Sequence, residues 1–296
     1  MIVKDVLEAA VRLVRRNSGE ATPWDAKLLL AHSVGHGRPL ALDPREDLPD
    51  EAASRFEALW EKRLAGAPVQ HLVGEWDFFG RPFSVDGRAL VPRPETELLV
   101  EAAFAEAPAA RRVLDLGTGS GILAVTWLLE RPGSRAVAVD VSTDALALAR
   151  ANGLRHSVLE RLGLVASDWT SALSSHETFD LAMSNPPYLA LSDAPALSAT
   201  VRDHDPASAL FAGEDGLDAY RRLLDLLPQH LAAGGPFLFE IGAGQADAVQ
   251  HEVAARDAWR LVRIVPDLAG IPRVAVLSRT TGRTASARTH DSSPAR

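Results

Sequence analysis

At 296 residues the chain is too long for a single small core and suits one large domain plus a smaller companion. A formal charge of −8, from 39 acidic against 31 basic side chains, disfavours broad contact with nucleic-acid phosphate and suits a protein substrate better. Cysteine is absent, which excludes disulfides, thiolate metal sites and cysteine nucleophiles together.

Met1 to Arg16 carries apolar residues at helical spacing (Val3, Leu7, Ala10, Val11, Val14), interrupted by Asp5 and Glu8. The two acids argue against a signal peptide, a transit peptide or a membrane span, so the stretch reads as the first core helix of a cytoplasmic protein. A second helix starts after Thr22, which can cap it, with Pro23 at the first helical position and Asp25 at the third, where a carboxylate complements the dipole. Pro49 and Asp50 precede a third periodic run, from Glu51 to Arg63. Residues 1–70 are therefore expected to form a helical domain.

From Leu72 to Val85 the character changes. Trp76, Phe78, Phe79 and Phe83 around Gly80 and Pro82 predict a hairpin or extended linker within residues 71–90. Residues 91–280 then alternate short apolar runs with helical segments, the pattern of an α/β domain with a mostly parallel sheet covered on both faces. Seven strands are expected: Val113 to Leu116, Ala136 to Asp140, Gly163 to Ser167, Phe179 to Ser184, Phe237 to Ile241, Trp259 to Val265 and Arg273 to Leu277. The tail, 281–296, is rich in Ser, Thr, Ala and Arg without apolar periodicity, and disorder is expected there.

The first of these strands ends in Asp115-Leu116-Gly117-Thr118-Gly119-Ser120-Gly121 and runs into the apolar helix Ile122 to Leu129. Alternating glycines let backbone approach a ligand closely. Gly119, Gly121 and Ala124 also match a dinucleotide fingerprint, so the loop alone does not choose between cofactors. Asp115 moves the balance, because a carboxylate beside the loop would repel a pyrophosphate and attract the cationic amine of a methionine moiety. Asp140 closes the second strand, where an acid can accept from both ribose hydroxyls; its other reading is a cap for the helix from Ser142. Asp168-Trp169 follows the third strand and suits an adenine amino group and ring, although Trp169 alone could be a core aromatic. Gly117, Gly119, Gly121, Asp140, Asp168 and Trp169 are thus expected to contact S-adenosyl-L-methionine.

The fourth strand ends in Ser184-Asn185-Pro186-Pro187-Tyr188, at the carboxyl edge where open α/β sheets place their ligands. Adjacent prolines have no backbone donors, which leaves their carbonyls free to accept from a substrate. The Asn185 side-chain oxygen and the Pro186 carbonyl could together accept both hydrogens of an NH₂ group, with Tyr188 packed against its plane. That makes Asn185, Pro186 and Tyr188 the candidate catalytic residues and Asn185 to Tyr188, Pro187 included, the substrate-binding segment. The chemistry calls for no metal.

In this order the motifs resemble the HemK/PrmC family of protein-(glutamine-N5) methyltransferases that modify peptide chain release factors. The likeness spans the helical front domain, Leu90 to Glu97, the glycine loop, Asp168-Trp169, Asn185 to Tyr188, Asp205-Pro206 with Ala209-Leu210, Phe239 to Gly242 and Asp267 to Gly270. It implies a Rossmann-like seven-stranded methyltransferase sheet joined by a β-hairpin to a small N-terminal helical domain that helps recognise the substrate. It further implies cofactor contacts at Gly117, Thr118, Gly119, Ser120, Gly121, Asp140, Trp169 and Asn185, and methyl transfer to the glutamine of the Gly-Gly-Gln loop of class I release factors. The acidic balance argues against a direct nucleic-acid partner, no membrane partner is expected, and a monomer is expected. Ser167 stands where the family commonly has glycine, and His71 where it has tyrosine, which bears on partner identity. The region of Arg93 and Glu95 reads as an active-site wall or as a helix start, and Glu240 as a pocket acid or an exposed strand end. Three rival functions remain at this point: a glutamine methyltransferase of a ribosomal protein, a DNA adenine N6-methyltransferase, and a catalytically silent binding protein.

Overall fold

The computed structural model describes residues 2–16, 19–36 and 41–280; the tail expected to be disordered lies outside them. Four helices open the chain: α1 (Val3–Arg16), α2 (Pro23–Ser33), α3 (Asp50–Leu64) and α4 (Val69–Val73). They bury a core built on Val3, Leu29, Leu30, Phe56 and Trp60. The start of α2 is a reciprocal capping box: the Asp25 N–H donates to Thr22 Oγ1 at 3.2 Å and the Thr22 N–H donates to Asp25 Oδ2 at 2.9 Å. Asp25 has a second task that its position in sequence does not reveal. Arg63 of α3 donates to the same Oδ2 at 2.9 Å, and both side chains are buried.

The strands β1 (Glu75–Phe78) and β2 (Arg81–Ser84) form the expected hairpin, turning through Phe79 and Gly80, both at positive φ. Two such residues in a row suit the twist of a tight hairpin. Phe79 tolerates the conformation because its N–H donates to Glu97 at 2.7 Å and its ring packs on Phe104.

Beyond it come α5 (Thr96–Glu106), β3 (Arg112–Leu116), α6 (Ile122–Glu130), β4 (Arg135–Asp140), α7 (Thr143–Arg155), β5 (Leu162–Ala166), β6 (Leu181–Ser184), α8 (Ala199–His204), α9 (Ala207–Leu210), α10 (Asp218–Leu226), β7 (Pro236–Glu240), α11 (Ala246–Ala254), β8 (Trp259–Pro266) and β9 (Pro272–Arg279). Seven strands form one sheet in the order β5-β4-β3-β6-β7-β9-β8, parallel through β7, with β9 antiparallel to both its neighbours. All seven expected strands are present. The fourth begins later than expected: Phe179 pairs its backbone with His230, Ala232 and Leu231 instead of β3, and pairing with β3 starts at Leu181.

Alternation along each strand sorts the core into two layers. Val113, Met183 and Leu238 face α5 and α6, whereas Leu114, Ala182 and Phe237 face α10 and α11. Strand order reverses between β3 and β6, so the loops leaving these two strands diverge and open a crevice at their carboxyl ends. Part of its rim comes from the segment between β6 and α10. Within that segment, Thr200 of α8 donates to the carbonyl of Gly66 at 3.0 Å, joining the crevice rim to the front helices.

Arg63→Ala should leave Asp25 buried without its cationic partner. Loss of one member of a buried pair costs about 3–5 kcal/mol, so the chemical-denaturation midpoint should fall clearly. An unchanged midpoint would show that the pair contributes nothing to the front helices.

Candidate active site

Two cavities meet at the crevice. The larger, of about 200 Å³, is bordered by Gly117, Gly119, Asp140, Trp169, Asn185 and Pro187, among others. The smaller, of about 100 Å³, is bordered by Arg93, Asn185, Pro186, Tyr188, Val201 and Leu210, among others. Asn185 belongs to both walls, as do Leu90 and Ala209. The segment 185–188 and the glycine loop are therefore brought together as expected.

The loop itself is sorted by alternation. Gly117 and Gly119 border the larger cavity, whereas Thr118, Ser120 and Gly121, also expected to touch the cofactor, are buried beneath it. Their groups serve the scaffold. Thr118 donates its N–H to the Val139 carbonyl at 2.9 Å, and the Ser120 carbonyl accepts from Asn152 at 2.8 Å. Gly121 has a φ of 81°, and a Cβ there would lie 2.9 Å from the Cβ of Ala149. Glycine at 121 is thus demanded by the close approach of α7 as well as by backbone conformation.

Asp115 corrects another expectation. Its carboxylate is fully buried and borders neither cavity, and its Oδ1 has no hydrogen-bond partner among the described residues. Its Oδ2 accepts from the Thr118 hydroxyl at 2.6 Å and from the Ala124 N–H at 3.2 Å. The nearer donor is the Thr118 hydroxyl of the loop, and the Ala124 N–H, one of the unpaired groups that every helix start presents, adds a second that ties the acid to α6. Burial pushes its carboxyl up to about 7, against the opposing hydrogen bonds from Thr118 and Ala124.

Asp140 ties the loop from the cavity side. Its Oδ2 accepts from the Gly119 N–H at 2.8 Å and its Oδ1 from the Ser142 N–H at 2.9 Å. It is not the cap of α7, because Ser142 performs that role by accepting from the Ala145 N–H at 3.1 Å. A carboxylate has about four acceptor positions, so Asp140 retains capacity for a pair of hydroxyls. Asp168 borders the same cavity, with its carboxylate paired to Arg222 at 2.8 Å. Trp169 is not simply a core aromatic. With a φ of 52°, a conformation side chains rarely adopt, it packs against the buried core beneath and borders the cavity above. Its ring would lie 3.8 Å from a Cβ placed on Gly117.

These features fit S-adenosylmethionine better than a dinucleotide. Arg88 is the single cation on the cavity wall among the described residues, and Asp86 already pairs with it at 2.6 Å. A pyrophosphate would find no free basic partner there. An acceptor carboxylate, an indole face and a loop edge without side chains instead suit ribose, adenine and an uncharged approach.

On the other side of Asn185, four side chains that sequence spacing scatters are joined. The Asn185 Nδ2 donates to Thr96 Oγ1 at 3.1 Å, and the Thr96 hydroxyl donates to Glu240 Oε2 at 2.7 Å. Tyr188 stands with its hydroxyl 3.5 Å from Glu240 Oε1. The Asn185 Oδ1 is left buried without a partner. Glu240, which the sequence left between pocket acid and exposed strand end, is buried, and burial raises its carboxyl above the ordinary value against the hydrogen bond from Thr96. Burial, reinforced by the Glu240 charge, pushes the Tyr188 hydroxyl up to about 12.

Arg93 borders the smaller cavity and pairs with Asp205 at 3.1 Å, so the wall expected around Arg93 is present. Burial raises Asp205, and Arg93 opposes that rise. His71 is half-buried at the same junction, and burial lowers its imidazole. Sequence reasoning missed Thr96 and Asp205 as parts of the site. Glu240 carried one signal, its place at the carboxyl end of a parallel strand; Thr96 carried none beyond a hydroxyl at a helix start.

Fold and crevice together define an α/β methyltransferase that uses S-adenosylmethionine. A family model described as the PrmC N-terminal domain matches residues 5–74, and one described as the methyltransferase small domain matches residues 94–201. A release factor glutamine methyltransferase of Cereibacter sphaeroides is 47% identical over 93% of this chain and 97% of its own length. Another, of Koribacter versatilis, is 38% identical over 95% of this chain and 100% of its own. The chain belongs to the release factor glutamine methyltransferase family. In fold alone it is similar to a methyltransferase from Pyrococcus furiosus, with a TM-score of 0.50 at 16% identity over 77% of this chain and 98% of that one.

Because the carboxyl of Asp115 holds its proton to about pH 7 when folded and releases it near 3.8 when unfolded, the folded state binds the extra proton between these values. Stability from this group should fall as pH rises from about 4 to about 7 and then level off. Asp115→Asn has no such proton to lose. The gap between variant and parent unfolding midpoints should therefore shift in the variant's favour across that window, and a pH-independent gap would contradict the assignment.

Proposed function

We propose that this protein transfers a methyl group from S-adenosyl-L-methionine to the side-chain N5 of the glutamine in the Gly-Gly-Gln motif of class I peptide chain release factors. One observation carries the reading: Asn185 borders both cavities, and its carboxamide oxygen is buried without a partner. A buried acceptor with no partner costs free energy, and an incoming N–H group relieves that cost. Residues 1–70 serve substrate recognition, 71–90 link, and 91–280 carry out transfer. The protein acts as a monomer in the cytoplasm, without direct contact to nucleic acid or membrane.

Gly117, Gly119, Asp140, Asp168 and Trp169 hold the cofactor in the larger cavity, which supplies an electrophilic methyl group on a sulfonium. Thr118, Ser120 and Gly121 support that surface from below. In the smaller cavity the Asn185 Oδ1 and the Pro186 carbonyl accept the two hydrogens of the glutamine NH₂. The Pro186 carbonyl accepts no hydrogen bond within the described residues, so it too is available.

An amide nitrogen is a poor nucleophile because its lone pair is delocalised into the carbonyl. Two acceptors on its hydrogens favour partial loss of that conjugation and stabilise the N–H groups as their acidity grows, an interaction stronger in the transition state than in the ground state. Pro186 and Pro187 stiffen the backbone that presents these acceptors. Tyr188 packs against the planar group and limits its rotation, and its hydroxyl, pushed up to about 12, stays a neutral donor.

Labelled cofactor offered with a release factor, a ribosomal protein or DNA should mark the release factor, with one methyl group on the loop glutamine by mass spectrometry. Label on DNA or on the ribosomal protein alone would replace the assignment. Asn185→Ala should reduce turnover by about 100-fold or more, the scale of losing one transition-state hydrogen bond, while cofactor affinity is largely kept. Undiminished turnover would refute the role given to Asn185.

A further inference from the structure

The Asn185 amide has two ends of nearly equal shape and opposite hydrogen-bonding sense. With Oδ1 towards the smaller cavity it accepts from a substrate NH₂. Turned by half a rotation about its last torsion it would oppose that group with a second donor. Proline carbonyls have no such ambiguity, so the productive geometry rests on what chooses between the two settings of residue 185.

Thr96 and Glu240 make that choice through the supply of hydrogens. The Thr96 hydroxyl owns one hydrogen and gives it to Glu240 Oε2 at 2.7 Å. Only lone pairs then remain on Thr96 Oγ1, and the group 3.1 Å away must be the donor end, Nδ2, of Asn185. Its oxygen is thereby turned away from Thr96 and left without a partner. While Glu240 is ionised its carboxylate is an acceptor only, and in that state it cannot reverse the direction of the chain. Thr96 is 1% exposed and Glu240 3%, which keeps water from substituting for either.

We infer that Thr96 and Glu240 are positioning residues for transfer, a hydroxyl and a carboxylate that hold the Asn185 amide with its oxygen facing the substrate NH₂. The inference rests on the proposed function and adds to it the pair, 144 residues apart in sequence, that orients its central group. Removing the Thr96 hydroxyl leaves both amide settings open, and a fraction of the enzyme then presents the wrong end. The loss belongs to turnover, because the larger cavity does not include Thr96 or Glu240.

The test compares the full-length protein with Thr96→Val, Thr96→Ser and Glu240→Gln, measuring kcat and KM on a release factor together with cofactor Kd. Thr96→Val keeps the shape without the hydroxyl and should lower kcat about 10- to 100-fold, the cost of a misdirected hydrogen bond at the reacting group, with cofactor Kd within about 2-fold. Thr96→Ser should restore kcat to within about 3-fold of the parent, since it returns a hydroxyl with the same single hydrogen. Glu240→Gln, which can donate as well as accept, should fall between them. Parental kcat in Thr96→Val overturns the inference, as does a loss that Thr96→Ser does not rescue and that cofactor affinity matches, because that pattern marks a merely structural role. If Thr96→Val does not fold, parental kcat in Glu240→Gln overturns it equally. A parent protein that leaves the release-factor glutamine unmodified would remove the proposed function itself; an active parent with an unaffected Thr96→Val removes this inference alone.

Discussion

A carboxamide standing between two cavities is useful only while the backbone beneath it stays still, and β6 is held on both sides for that purpose. It pairs with β3 on one edge and β7 on the other, and the hydroxyl of its last residue, Ser184, donates to the Leu116 carbonyl at 2.7 Å. The residue before Asn185 is thus fastened to the residue before Gly117. The separation between the methyl-donor side and the acceptor side is fixed by one strand spacing of a parallel sheet, with no flexible connection between them.

The glycine loop is clamped in a complementary way. Asp115 grips it from inside, through the Thr118 hydroxyl, and Asp140 grips it from the rim, through the Gly119 N–H. Asp115 also closes an open N–H at the start of α6, so a single buried acid joins strand end, turn and helix. A buried acid with a raised pKa is costly to hold ionised, and its two hydrogen bonds repay only part of that cost. The Gly121 contact with Ala149 completes the clamp by seating the loop against α7. Two acids on neighbouring strands and opposite in direction therefore divide the work of holding the loop and facing the larger cavity.

Much of this was legible before any coordinates. The seven strands are readable because each is a short apolar run bounded by polar turns, and the hairpin because Gly80 and Pro82 fall within an aromatic cluster. The crevice followed from where a glycine loop and Asn-Pro-Pro-Tyr fall relative to strand ends. What could not be read was direction. Sequence places Asp115 next to the loop, yet which side of the backbone its carboxylate takes depends on the Thr118 hydroxyl and the Ala124 N–H, which converge on it only once the loop and α6 have formed. Thr118, Ser120 and Gly121 likewise turn inward to partners that the loop sequence does not name: Val139, Asn152 and Ala149. Partners distant in sequence were hidden too: Asp25 with Arg63, Arg93 with Asp205, and Thr96 with Glu240 have no local pattern that announces them.

The stretch between β6 and α10 is fastened at both its flanks and its middle. Leu189 bridges to Phe211 near its two ends, Thr200 bonds Gly66 among the front helices, and Asp205 holds Arg93 ahead of α5. These contacts close the strap on itself and tie it at two points to the rest of the molecule. Strain applied to the front helices reaches the acceptor cavity directly through α8, so the two parts of the molecule are mechanically coupled, and a change that loosens one will be felt as lost alignment in the other.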